Sequence, residues 1–158
     1  MENDGRHHAY FKTTELIETN RRERSAQMPL LQWKPEYTVD EVELDNDHRE
    51  FFNILNTAYE NVMNSIEVKS VLTKVDELLV LLRRHISAEE QYLMDSCYHE
   101  IDAHMAEHRQ FMANIELLKT NHHASSLEAT QELIVVLGNW ILNHILTEDK
   151  KYQVALAK

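Results

Sequence analysis

The chain has 158 residues and a formal net charge of −11, and it contains only two Gly and two Pro. This length predicts a single domain, and the scarcity of turn-forming residues predicts long helices. An acidic surface repels phosphate groups, so nucleic acids and anionic membrane surfaces are disfavoured as partners.

The cellular setting is predicted from the same composition. The single cysteine, Cys97, excludes an internal disulfide and fits a reducing compartment. The first residues lack the apolar stretch of a signal peptide. The longest apolar run, residues 78–82, is too short to span a bilayer. These features predict a soluble cytoplasmic protein.

The first 44 residues differ from the rest of the chain. Residues 1–28 are predicted to form a partly ordered extension or a short helix. Residues 29–44 hold both prolines and the aromatic residues Trp33 and Tyr37, which predicts an extended arm whose rings pack onto the domain. The domain itself is predicted to cover residues 29–158.

Four amphipathic helices are predicted from apolar residues in steps of three and four. They cover residues 46–66, 67–96 and 100–121, and the fourth begins after Ser125 or Ser126. Asp45 or Asp47 is predicted to cap the first helix, with Glu50 completing a capping box after Asp47. Short connections make neighbours antiparallel, so the predicted fold is an all-α, up-down-up-down four-helix bundle with an N-terminal arm.

Polar side chains interrupt the apolar stripe of every predicted helix. Burying an unpaired polar group is costly, so a shared ligand is expected to satisfy them. Counted from the turns that join the helices, one histidine on each helix lies about 18 residues, or roughly 27 Å, from the same end of the bundle. The polar side chains that interrupt the apolar stripes are His48, His85, Glu89, His104, His108 and His144.

The residue types in this layer predict two metal ions. A single His-x-x-x-Glu or His-x-x-x-His pair is expected by chance, but four helices meeting in one layer are not. Five imidazoles and two carboxylates exceed the needs of one tetrahedral zinc and suit two bridged iron ions. Helical periodicity selects Glu148, four residues after His144, as the second carboxylate. A site richer in nitrogen than ferritin-like sites favours reversible O2 binding over oxygenation.

Five segments together resemble the bacterial hemerythrins. They read WKPEY at 33–37, ELDNDHREFF at 43–52, HISAEEQYLM at 85–94, HMAEHRQF at 104–111 and WILNHILTEDKKY at 140–152. The resemblance implies a non-haem di-iron centre with an oxo or hydroxo bridge that binds O2 reversibly.

The resemblance also implies a role for each ligand. One iron would lie on His104, His108 and His144, and the other on His48 and His85, with Glu89 and Asp149 bridging the two. Since Asp149 follows His144 by five residues, about 140° off an ideal helical face, the resemblance implies a distorted helix near Thr147.

The same resemblance implies an O2 pocket lined by Phe51, Ile86, Trp140, Ile141 and Ile145. The family more often has leucine at position 51 and phenylalanine at position 86. The bulky aromatic ring is therefore contributed by the first predicted helix instead of the second, which is expected to preserve the volume of the pocket.

Residues outside this set are predicted to bind no metal. His7, His8, His122 and His123 are expected to be exposed, and Cys97 is expected to be a reduced structural thiol. O2 carriage, storage or supply without enzymatic activity is the first functional hypothesis, with a protein partner receiving the O2. The alternatives are an O2 or redox sensor module and a di-iron peroxidase or nitric-oxide scavenger.

Overall fold

The computed structural model describes residues 29–64, 66–121 and 126–157, and this part of the chain is helical without strands. A 3-10 turn at Pro35–Tyr37 precedes α1 (Val42–Met63), α2 (Val68–Asp95), α3 (Ile101–Asn121), α4 (Leu127–His144), a π-helical turn (Ile145–Asp149) and α5 (Lys150–Leu156). The prediction of an all-α fold is confirmed. The predicted extension at residues 1–28 and His7, His8, His122 and His123 lie outside the described residues.

The helices pack through the apolar stripes that the periodicity indicated. α1 lies against α2 and α4, and α2 also contacts α3 and α4. The central core includes Leu55, Val71, Leu82, Ile115 and Leu137, each at most 1% exposed. Full burial of such a side chain stabilises the fold by roughly 1.5–3 kcal/mol, before the entropy lost on folding is counted. None of the helices in the described ranges has the length and apolar character needed to cross a bilayer.

The predicted start of the first helix is wrong. α1 begins one turn earlier than expected, at Val42, and no side chain caps its first residue. Asp45 is instead buried inside the helix, where it accepts hydrogen bonds from the Thr38 hydroxyl and, at 2.7 Å, from the backbone N–H of Val39. The carboxylate expected to cap the helix therefore holds the arm. α1 also ends earlier than expected, at Met63.

The arm is bound to α1 by polar contacts as well as by rings. The indole of Trp33 packs against Phe52, with centroids 5.7 Å apart, and the guanidinium of Arg49 lies 4.3 Å from the Trp33 ring. The side-chain amide of Asn56 both donates to and accepts from the backbone of Leu31, each at 2.8 Å. These contacts fix the register of the arm on the bundle.

The turn between α2 and α3 is closed by backbone hydrogen bonds. The N–H of Tyr98 bonds to the carbonyl of Leu93 and that of Cys97 bonds to Met94, both at 3.0 Å. This is a Schellman motif, and Cys97 occupies its left-handed position with φ of 53°. The Cys97 thiol is free and exposed, so the residue contributes to the structure through its backbone. At the start of α4, the predicted cap Ser126 accepts from the N–H of Ala129.

Candidate metal centre

The seven side chains predicted to bind metal lie together at one end of the bundle. α1 to α4 each contribute at least one of them, and the π-helical turn contributes the last. Every one is at most 5% exposed, although all seven are polar. They are His48, His85, Glu89, His104, His108, His144 and Asp149.

The donor atoms form two groups that share one carboxylate. The first contains Glu89, His104, His108 and His144, and the second contains Glu89 with His48 and His85. Within each group the donor atoms lie within 4.8 Å of one another. The Oε2 atom of Glu89 is 3.2 Å from Nε2 of both His104 and His108, and 3.8 Å from Nε2 of His85.

Asp149 also lies between the two groups. Its Oδ2 atom is 3.5 Å from Nε2 of His48, and its Oδ1 atom is 3.1 Å from Nε2 of His144. The neighbouring Glu148 instead pairs with Lys151 at 2.6 Å. The prediction from helical periodicity that Glu148 is the second carboxylate of the site is therefore wrong. The π-helical turn is wider than an α-helical turn and brings the later residue inward, which supplies the distortion expected near Thr147.

Several buried polar atoms of the site have no hydrogen-bond partner. They include both carboxylate oxygens of Asp149 and both ring nitrogens of His48. Leaving such a group unsatisfied costs about 1–3 kcal/mol, so native proteins rarely do it without a reason. Cations bound by nitrogen and oxygen donors would satisfy these atoms. The residues present therefore fit a metal pair.

The ionisation of the imidazoles also suits metal binding. Burial lowers the pKa of His48 to about 3 and that of His144 to about 4, with the positive charge of a neighbouring imidazole adding to the effect for each. Both rings are therefore neutral at pH 7, and each has a lone pair available for a cation, as metal ligation requires.

Glu89 and Asp149, the two carboxylates predicted to bridge the metals, differ before any cation is present. Burial opposes ionisation of Glu89, but hydrogen bonds from His104 and His108 outweigh it and hold its pKa well below the usual range. Burial and the charge of Glu89 raise the pKa of Asp149 well above its usual range. A bound dication reverses the second shift, because its charge favours the ionised carboxylate.

Four residues behind the ligands were not predicted. A carboxylate lies near the outer ring nitrogen of three histidines: Asp47 at 3.5 Å from His85, Glu90 at 3.1 Å from His108 and Glu107 at 3.8 Å from His144. The Tyr152 hydroxyl donates to Oε1 of Glu89 at 2.8 Å. Such partners orient metal ligands and make them more basic. Asp47, Glu90 and Glu107 each adjoin a ligand in sequence, which is the signal that could have indicated them.

A cavity of about 10 Å³, room for one water-sized molecule, lies beside the site. It is bordered by His48, His85, His108, His144 and Asp149 on the polar side. All five residues predicted to line the O2 pocket border it as well, together with Leu82, which the sequence did not indicate. These are Phe51, Leu82, Ile86, Trp140, Ile141 and Ile145.

Residues 41–156 match the family described as the hemerythrin HHE cation binding domain. The chain belongs to the hemerythrin family. It is 30% identical over 125 residues to the bacteriohemerythrin of Clostridium acetobutylicum, covering 76% of this chain and 96% of that protein. A hemerythrin of Sipunculus nudus is 25% identical over 125 residues, covering 78% of this chain and 92% of the other.

The fold comparison agrees with this assignment. A crystal structure of a hemerythrin point mutant superimposes with a TM-score of 0.73 at 24% identity, covering 83% of this chain and all of the other. The predicted family and four-helix bundle fold are confirmed. Hemerythrins bind a di-iron centre, and two donor groups that share Glu89 fit a pair of iron ions. The assignment of each side chain to one iron or the other stays a prediction.

Proposed function

We propose that this hemerythrin binds O2 reversibly as a carrier, store or supply of O2, and that it is not an enzyme. The observation that supports this proposal is the lining of the cavity beside His48 and His85. Apart from histidines and Asp149, which all belong to the metal site, the lining residues are aliphatic or aromatic, and the indole N–H of Trp140 is their single polar group. Phe51, Leu82 and Ile141 are each at most 2% exposed.

A pair of iron ions held by the seven side chains would supply two electrons to O2 and take them back when O2 leaves. The task of the surrounding residues is to keep water and proton donors away from the bound gas. The hydroxyl of Tyr152, a nearby proton donor, is directed to Glu89, and Tyr152 does not border the cavity. With the histidines and Asp149 occupied by metal ions, the lining would offer no free general acid to deliver the protons that complete the reduction of O2.

The first test is reversibility. Iron-loaded protein is reduced without air, mixed with O2, and then held under vacuum while the visible spectrum and the resonance Raman spectrum are followed. We expect an O–O stretch that appears with O2 and disappears under vacuum over repeated cycles. Rapid, irreversible conversion to the ferric state, with turnover on added hydrogen peroxide, would favour an enzyme.

A matched pair of variants tests the role of the apolar lining. Ile141→Val and Ile141→Thr shorten the side chain by similar amounts and so enlarge the cavity alike, but only threonine brings a hydroxyl group. Since a positioned proton donor accelerates proton transfer by 10²-fold or more, we expect Ile141→Thr to lose bound O2 irreversibly at least about tenfold faster than Ile141→Val. Equal rates would show that exclusion of protic groups is not what preserves the bound gas.

A second candidate, an O2 or redox sensor, is favoured by one observation. Lys150, which directly follows Asp149, donates from its ammonium to the carbonyl of Thr38 in the arm. Asp45 on α1, three residues before His48, also holds Thr38. The arm therefore contacts two segments that carry ligands. A sensor would show hydrogen exchange in the arm that differs between the reduced and the O2-bound protein, and a carrier would not.

A further inference from the structure

The cavity beside the metal site comes close to the surface at two points. Among the described residues that border it, Ile86 on α2 and Trp140 on α4 are partly exposed, and the others are buried. The shortest paths from solvent into the cavity therefore pass these two side chains. The packing around each of them indicates which path is the easier one.

The path past Trp140 is blocked by a ring that is held in place. The indole is stacked on Phe111, with centroids 3.5 Å apart and planes inclined by 6°. It is also stacked on His144, with centroids 4.5 Å apart and planes inclined by 17°. Moving the indole aside would break both contacts, which favours the other path.

The path past Ile86 follows the seam between α2 and α3. Two polar contacts cross this seam: the guanidinium of Arg83 pairs with Glu116, and Oε1 of Glu90 lies 3.1 Å from Nδ1 of His108. Ile86 follows Arg83 by three residues and precedes Glu90 by four, so all three lie on one face of α2. Ile86 is therefore located between the two polar contacts.

On α3, the residue midway between the same two contacts is Met112. It lies four positions from His108 and four from Glu116, which places it on their face of the helix. Like Ile86, it is partly buried and packs against the central core. A methionine side chain has three rotatable bonds and adapts its shape easily. We call Ile86 and Met112 the apolar gate.

We propose that O2 enters and leaves the cavity through the apolar gate, and that Met112 sets the rate of both steps. O2 is small, uncharged and apolar, so it passes when these side chains change rotamer. Water and hydrated ions would lose their hydrogen bonds at the same place, so the gate holds them back. The inference rests on the proposed binding of O2 and adds its route and the residue that controls its rate.

A gate residue has a kinetic signature that a residue stabilising bound O2 does not have. A side chain that only obstructs the path changes the barrier between solvent and cavity. It therefore alters the association and dissociation rate constants by the same factor and leaves Kd unchanged. Met112 does not border the cavity, so its truncation removes no contact with O2 inside it. This makes Met112 the position at which the signature is clearest.

The main experiment measures both rate constants by stopped flow, mixing the reduced iron-loaded protein with O2 and the oxygenated protein with an O2 scavenger. We expect Met112→Ala to raise both rate constants by about tenfold, and Met112→Phe to lower both, with Kd constant within about twofold. The matched control is Leu118→Ala, a similar truncation on α3. Leu118 is also partly buried against the central core, but it lies beyond Glu116 and outside the gate. It should change neither rate constant.

The competing path is tested with Phe111→Leu, which removes one of the two rings stacked on Trp140. The proposal is overturned if Phe111→Leu raises both rate constants and Met112→Ala does not. It is equally overturned if Leu118→Ala acts as strongly as Met112→Ala, because the effect is then a general loosening of the bundle. Irreversible consumption of O2 by the wild type would overturn the carrier function, whereas the association rates would still test the gate.

A second measurement needs no iron. O2 is paramagnetic, so O2 dissolved under pressure accelerates the nuclear relaxation of the methyl groups that it contacts. Zinc has no unpaired electrons to mask this effect, so the protein is loaded with zinc. We expect a larger enhancement at the methyl groups of Met112 and Ile86 than at Ile54, which is partly buried against the same core on α1. An equal or larger enhancement at Ile54 would exclude the gate.

Discussion

Replacement of His48 by leucine should stabilise the iron-free protein and destabilise the iron-loaded one. His48 is 1% exposed, and neither ring nitrogen has a hydrogen-bond partner. Its ring lies among others, with centroids 4.8 Å from His85 and 6.1 Å from Phe51. Leucine of similar volume would fill this space without a polar atom to satisfy.

The expected magnitude follows from the cost of the unsatisfied nitrogens. A buried polar group without a partner costs about 1–3 kcal/mol, so His48→Leu should raise the free energy of unfolding of the iron-free protein by roughly that amount. With iron bound, the same change removes a ligand. Ligand binding at a thousand times its dissociation constant stabilises a fold by about 4.1 kcal/mol, which exceeds this gain, so losing the bound iron reverses the sign.

The effect should grow as the pH falls. Burial lowers the pKa of His48 to about 3 in the folded protein, whereas the unfolded chain has the ordinary value of 6.5. Between these values the unfolded state binds a proton that the folded state does not, so acid destabilises the iron-free wild type. The variant lacks this group, and its advantage should therefore increase by about 2 kcal/mol between pH 7 and pH 5.

The assay is urea denaturation followed by circular dichroism, with chelator and with iron, alongside iron analysis of each sample. The matched control is His99→Leu, which makes the same change at an exposed position and should alter neither stability nor iron content appreciably. If His48→Leu destabilised the iron-free protein, or if it retained two iron ions, the reasoning from unsatisfied atoms to a metal site would be refuted.

Three further predictions concern single positions. Gly138 lies inside α4, and an added methyl group would meet leucine side chains at ordinary distances of 3.8–3.9 Å, so Gly138→Ala should stabilise the protein by about 1 kcal/mol in urea denaturation. Cys97 has φ of 53°, which favours glycine, so Cys97→Gly should raise stability by about 0.5–1 kcal/mol in the same assay. Asp149→Ala should lower bound iron after dialysis against chelator, whereas the neighbouring Glu148→Ala should leave it unchanged, as measured by iron analysis.

The helices and their buried faces could be predicted because periodicity and burial express the same physical requirement. A helix packed on one side needs apolar residues every three or four positions, and Leu55, Leu82, Ile115 and Leu137 supply them. The end of the bundle that holds the polar layer could also be predicted. Helix rise is fixed, so equal distances from the turns place His48, His85, His104 and His144 at one level.

The helix ends could not be predicted as well, since they depend on contacts with distant residues. An aspartate near the start of a predicted helix is usually a cap, and Asp45 looked like one. In the structure its carboxylate bonds to Thr38 and Val39, so its role is set by the path of the arm. Nothing in the sequence indicated that Cys97 adopts a left-handed conformation, because this position at the end of a helix is normally recognised by a glycine.

The second carboxylate shows where local periodicity fails for a physical reason. An ideal α-helix would direct Glu148 toward the metals, and the resulting site would need no distortion. The chain instead forms a π-helical turn from Ile145 to Asp149, which places both Asp149 oxygens in the interior without a hydrogen-bond partner. The π-helical turn and the burial of unpartnered carboxylate oxygens both cost free energy in the metal-free protein. Because both costs fall on Asp149, which lies with Glu89 between the two histidine groups, the binding of cations is the compensation that explains why the sequence tolerates them.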